Sequence, residues 1–300
     1  MKPRQKRKRN HWVPKAYLKA FASNHPAKTK IWRFGKDSGD PELKPISKVA
    51  VSFYLYAKHN DAGEKDYELE HRFASLEQLF GNPFWRELTN GFADLTDEAT
   101  RKGIALLAAN LYLRNPLRLT DTANLHADLV SQFEGWDFEP GETLNVEINE
   151  KAIELDTSDW ERYRNAGPDL IKAMWIDSIY EYTAWLAELL MGLRWAVVFS
   201  ETPVFVTSDN PVVLLNPNDD QPFGFKTPGS VTIFPLSPTR VLQFDNSKEP
   251  DGHYYPVNDP ADSNYLIWSN SISHMFCHRH PDQVLWEIMQ SAEKFEAAGK

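Results

Sequence analysis

The spacing of apolar residues changes once along the chain, and that change limits the possible folds more than any motif does. From Glu64 to about Met191 the spacing is helical. In "EKDYELEHRFASLEQLF" an apolar stripe falls on Tyr67, Phe73, Leu76 and Phe80, with charges between them. "TDEATRKGIALLAANLYLRNP" opens with acids in its first turn and has to stop before Pro116. "LTDTANLHADLVSQF" predicts a further helix. Residues 135–157 read as a loop with strand-like "LNVEI", and "SDWERYR" offers a capping box from Ser158 and Glu161. Gly167-Pro168 then restarts a long helix to about Met191. Beyond it the rhythm shortens. "RWAVVFSE", "VFVTSDNPVVLLN", "VTIFPLSP" and "RVLQFDN" are short β-like runs separated by Pro, Asn and Asp. "SNYLIWSNSIS" returns to helix, "HMFCH" predicts a last strand, and "PDQVLWEIMQSAEKFEAA" a closing helix. Helices in the middle and short strands at the end make an α+β chain: a helical central part packed with a mostly antiparallel β C-terminal part.

The N-terminal region mixes both rhythms. Pro14 suits a first helical position, and Val13, Tyr17, Leu18 and Phe21 recur at helical spacing, which predicts a short amphipathic helix over 14–23. "KIWRFGKD" predicts a strand ending at Gly35, and "VAVSFYLYAK" a strand or a buried connector. Neither a repeat nor a linker interrupts the sequence. Residues 10–300 therefore read as one composite domain behind a flexible basic arm, residues 1–9.

That arm matters for charge. It holds Lys2, Arg4, Lys6, Arg7, Lys8 and Arg9, a charge of +6 in a chain of net −9, so the rest carries −15. A body that acidic disfavours broad binding to a phosphate backbone. Nucleic acid, or another anionic partner, would be met through the Lys2–Arg9 arm. The single Cys277 rules out an internal disulfide. No apolar segment follows the basic start as in a secretory signal. The longest apolar stretch, residues 184–199, contains Glu188 and Arg194 and is too short to span a bilayer. A soluble, cytoplasmic protein without a membrane partner is the expectation. A phosphate loop, a dinucleotide glycine motif, His-Glu-x-x-His and Cys-x-x-Cys are all missing, which argues against a P-loop NTPase, a zincin and a thiol redox enzyme.

Several polar groups are candidates for chemistry, each with a structural alternative. In "VTSDNPV" a strand ends at strong turn chemistry. Asp209 is either the turn's own hydrogen-bond acceptor or a metal ligand or general base. Ser208 lacks the flanking glycines of a nucleophile elbow. Arg114 in "YLRNPLR" either interacts with the last carbonyls of its helix or grips a carboxylate or phosphate. His11 either anchors the arm or acts as base or metal ligand. In "EKDYELEH" the unit from Glu68 to His71 lacks the second such unit that a di-metal bundle needs. The segment is by default a solvated face, with Glu70 left as one carboxylate of a mixed site. "SHMFCHRHP" holds His274, Cys277, His278 and His280, but a strand sends Cys277 to the face opposite the histidines, and the finger spacing is absent.

"HWVPKAYLKAFA", "VAVSFY", an acidic helix, "YLRNPLR", "RWAVVFS", "FVTSDNPVVLL" and "FPLSP", in this order, resemble the domain-of-unknown-function 4238 family from His11 to about Cys277. By that resemblance the family motifs fall on His11, Pro14, Tyr17, Leu18, Phe21, Arg114, Pro116, Ser208, Asp209, Asn210, Pro211 and Pro235–Pro238. Asn10 stands where many relatives carry a second histidine. The family name implies no activity.

Two functions compete. In the first, the chain is a metal-assisted hydrolase or nuclease acting on a phosphodiester-type anion. Asp209 and Glu70 then hold a divalent ion, and Asp209 can instead activate water itself. His11 is the acid or base, Arg114 steadies negative charge, and Tyr17, Ser208 and Asn210 touch substrate. In the second, the chain binds a ligand or partner without chemistry, and the same polar residues are buried structural hydrogen bonds.

Overall fold

The structure is a computed structural model. It describes residues 9–23, 29–37, 40–59, 65–66, 68–136, 138–139, 141–148, 151–216 and 222–298. Most of the basic arm, residues 1–8, together with Glu64 and Tyr67, lies outside the described residues.

The fold is α+β, with helices packed on several mostly antiparallel sheets. One sheet has five strands in the order Val213–Leu215, Val231–Ser237, Arg240–Asp245, Arg194–Phe199 and His253–Pro256. Its neighbours are antiparallel except the last pair, which is parallel. A second, antiparallel sheet runs Thr207–Ser208, His274–Cys277, Lys30–Gly35 and Glu42–Pro45, joining the two ends of the chain. A small ribbon pairs Arg9–His11 with Val51–Phe53, His11 opposite Val51.

The central helices form as their sequences dictate. Asp97 caps Glu98–Leu113, its side chain accepting from the Thr100 N–H. This helix lies along Pro168–Met191. It is buried nearly all round, Ile104, Ala105, Leu107, Ala108, Ala109 and Leu111 included. Gly103 sits in mid-helix because a Cβ there would come within 2.8 Å of the Phe84 ring. Pro116 begins the next helix, Pro116–Phe133, with Asn115 as its cap, accepting from the Leu117 N–H. One buried apolar cluster runs from Val13 and Tyr17 through these helices to Phe234, Phe244 and Phe276 of the sheets. A second lies under helices Pro260–Ser269 and Pro281–Ala298, and a third, smaller one holds Tyr56, Leu69, Phe73 and Trp175.

Local departures from expectation have local causes. The first helix is only Lys15–Leu18, closed by a 3-10 turn over Lys19–Phe21. The Ser158–Glu161 capping box does not form. Asp156 takes both the N–H and the hydroxyl of Ser158, and helix Trp160–Arg164 starts without a side-chain cap. "VAVSFYLYAK" is both a strand and a connector: Val51–Phe53 pairs, while Ala50 and Tyr54 on either side adopt left-handed φ of 46° and 55°. Several elements have no counterpart in the sequence reading, among them helix Pro83–Asn90 and strands Glu42–Pro45, Lys151–Asp156 and His253–Pro256. Among the described residues no helix is long and apolar enough to cross a membrane.

Candidate functional site

The motif residues fall into two groups. The first group is a fastening between the N-terminal segment and the sheets. Tyr17 is fully buried; its hydroxyl donates to the Pro235 carbonyl at 2.6 Å and meets the Thr207 hydroxyl at 2.7 Å. Burial pushes its phenol well above the ordinary range. The Ser208 hydroxyl donates to the Asn210 carbonyl and accepts the Asn210 N–H, closing a turn on itself. The Asn210 side-chain amide donates to the Asn270 carbonyl.

Asp209 is the centre of this group. Its Oδ1 accepts the Ile272 N–H at 2.8 Å, and its Oδ2 accepts those of Ser273 at 2.9 Å and His274 at 3.0 Å. Its carbonyl accepts from the Trp12 indole and the Asn115 amide, both at 2.9 Å. A carboxylate that spends both oxygens on backbone amides holds a loop, here the distant 272–274 segment rather than its own turn.

The second group lines an open cleft of about 330 Å³: Arg9, His11, Lys15, Ser47, Glu70, Phe73, Ala74, Glu77 and Arg114. Three of the sequence candidates, His11, Glu70 and Arg114, therefore come together, and Asp209 is not among the lining residues. Arg114 does not serve its own helix end. The terminal carbonyls there go to the Tyr56 hydroxyl, on Arg114 O, and the Trp175 indole, on Leu113 O. The guanidinium turns to the cleft instead. It is 2% exposed, lies 4.1 Å from the Phe73 ring centroid, and donates to Glu77 at 3.0 Å, to Asn110 and to the His11 carbonyl. Its Nε has no partner.

His11 is positioned by the ribbon it shares with Val51–Phe53. Its Nε2 lies 3.3 Å from the Ser47 carbonyl. A carbonyl can only accept, so Nε2 carries the hydrogen and Nδ1 keeps a lone pair. Burial pushes the ring pKa down to about 4, with Lys15, Arg9 and Arg114 adding to the fall against the Ser47 bond. His11 is thus a neutral imidazole with an unprotonated nitrogen across the neutral range.

Sequence reasoning missed Lys15, Ser47, Phe73 and Glu77, and placed Arg9 in the arm alone. Only the pairing of residues 9–11 with 51–53 brings these stretches together, and short strands announce no partner. Glu70 lines the cleft and Asp209 does not, and among the described residues no three His, Cys, Asp or Glu side chains group as metal ligands. In the C-terminal histidine run, Cys277 is buried with its thiol on the Arg279 carbonyl, and His280 packs edge-on against Trp32.

His278 is buried, its Nδ1 has no partner, and burial, followed by Arg279, pushes its pKa to about 4. His11 and His278 give a pH prediction. Between pH 6.5 and 4 the unfolded chain binds these protons and the folded chain does not. Stability from both groups is therefore lost as pH falls through that window and is level below it. Each contributes a slope of at most about 1.4 kcal/mol per pH unit. Urea midpoints measured from pH 4 to 7 should fall less steeply on acidification in His278→Asn than in the wild type. Parallel curves would show that His278 titrates normally in the folded chain.

The sequence model of a family described as a protein of unknown function (DUF4238) matches residues 9–280. Neither a curated protein nor a solved structure matches the chain.

Proposed function

Since the chain belongs to the DUF4238 family, whose description assigns no activity, we propose its function from the cleft: hydrolysis of a short or terminal phosphodiester-type anion, with His11 as general base. One observation carries this reading. A neutral imidazole with a free Nδ1 lines the same cleft as Arg9, Lys15 and Arg114. In the proposed step Nδ1 takes a proton from water, the water oxygen bonds to phosphorus, and the ester oxygen leaves and is protonated from solvent. Arg9 and Lys15 hold the phosphoryl oxygens, Arg114 fixes the His11 carbonyl and adds positive field, and Glu70 orients the water. A cleft of about 330 Å³ suits one nucleotide-sized group, and the acidic body disfavours long duplexes. The Lys2–Arg9 arm would steer the anion towards the cleft, which Arg9 lines.

The test is hydrolysis of bis(4-nitrophenyl) phosphate and of a short oligonucleotide across pH. The expected profile loses activity below about pH 4, where His11 is protonated, and is level from there through neutrality. Lys15→Met removes a cation that opposes that protonation, so the acid limb should move upward. A folded protein that releases no product at any pH, or a limb at the ordinary histidine value that ignores Lys15, would sink the proposal.

A second reading rests on the internal bonding of Tyr17, Ser208, Asp209 and Asn210: the chain binds a phosphodiester without cleaving it. Saturable binding of the oligonucleotide with no product after prolonged incubation would select that reading.

A further inference from the structure

Among the most buried arginines, Arg101 pairs with Asp251 and Arg114 with Glu77. Arg240 is 6% exposed and has no carboxylate partner among the described residues. Its Nε donates to the Gly91 carbonyl and its Nη1 to those of Ser200 and Thr239. Its Nη2 has no hydrogen-bond partner among the described residues. The guanidinium lies between two phenyl rings, 5.2 Å from the Phe92 centroid and 5.3 Å from that of Phe199. Neutral carbonyls and ring faces orient a cation but leave its charge without a counter-ion, a costly state for a desolvated group. Burial indeed draws its pKa below the ordinary value.

The ring beside it is equally unusual. Phe92 is 65% exposed, yet it is held edge-on by Phe199 at 5.3 Å and by Tyr254 at 4.9 Å. Tyr254 is itself tied by its hydroxyl to the Ala93 carbonyl. An exposed phenyl ring is thus fixed 5.2 Å from a nearly buried cation that has no carboxylate partner among the described residues. None of these residues lines the cleft described above.

We infer that Arg240 and Phe92 form a second binding site, for an organic acid that sets its carboxylate on Arg240 and an aromatic or branched apolar group on Phe92. Nη2 supplies the charge-assisted hydrogen bond, and the ligand ring stacks offset or edge-on against Phe92. The site selects for the anion because the neutral amide of the same shape would leave the guanidinium as it stands now.

The test titrates the full chain with N-acetyl-phenylalanine and, separately, with N-acetyl-phenylalaninamide, by calorimetry or ligand-observed NMR. The acid should bind saturably and the amide about tenfold more weakly or worse. Phe92→Ala, assayed well below its urea midpoint so that the chain is folded, should weaken the acid about tenfold. Arg240→Lys should weaken it as well; if that variant fails to fold, Phe92→Ala and the amide decide. Equal binding of acid and amide, no binding of either, or an affinity that ignores Phe92→Ala would overturn the inference.

Discussion

A His11→Gln chain is expected to lose about 10²–10⁴ of the wild-type phosphodiester hydrolysis rate while unfolding at the same urea concentration. The glutamine amide can still donate to the Ser47 carbonyl, which now accepts from the ring Nε2–H. Arg114 holds the His11 backbone carbonyl, which the substitution leaves alone. The ribbon to Val51–Phe53 is likewise backbone. Only the unprotonated Nδ1 disappears. Arg9, Lys15 and Arg114 continue to attract the anion, so the loss should appear in kcat with KM nearly unchanged. The acid limb near pH 4 should vanish with it, because the group that titrates there is gone. A variant that turns over as fast as the wild type would remove His11 from the chemistry.

The sequence spoke clearly where structure is local. The bounds of Pro168–Met191 follow from Gly167-Pro168 ahead of it and the strand-like "RWAVVF" behind it. Helix Glu98–Leu113 ends where Pro116 requires. Arg194–Phe199, Val231–Ser237 and Arg240–Asp245 match their β-branched and aromatic runs. It was silent where structure is non-local. "HYYP" is too short to declare a strand, and it becomes one only because the Arg194–Phe199 edge accepts it in parallel. Likewise His11, Glu70 and Arg114 share a cleft through a three-residue ribbon and through Arg114 turning away from its own helix end. Neither event leaves a trace in spacing. The motif at Ser208–Pro211 was legible as a turn, but what its carboxylate would meet was not. The partners of Asp209, the amides of residues 272–274, lie more than sixty residues away and carry no side-chain signature.

Those amides make Asp209 the position where substitution should cost the most stability. Asp209→Ala leaves the N–H groups of Ile272, Ser273 and His274 without an acceptor at a site where the Asp209 side chain is 2% exposed. Hydrogen bonds to a charged acceptor contribute about 1.5–3 kcal/mol each, and those sharing one acceptor do not add in full. A loss of about 3–5 kcal/mol is expected, a large part of the stability of an ordinary domain. Asp209→Asn should be intermediate. Its amide keeps one oxygen to accept with, but its NH₂ replaces the other acceptor and confronts backbone N–H groups with a second donor. The damage should spread, because the Asp209 carbonyl is where Trp12 and Asn115 attach the N-terminal segment and the central helices. Urea unfolding measures the loss directly, and hydrolysis assayed well below the variant's midpoint separates it from chemistry. With Asp209 as a fastening, the folded fraction of Asp209→Asn turns over at the wild-type rate. A variant as stable as the wild type but inactive would instead return Asp209 to the reaction, with its carboxylate breaking away from the 272–274 loop to reach the substrate.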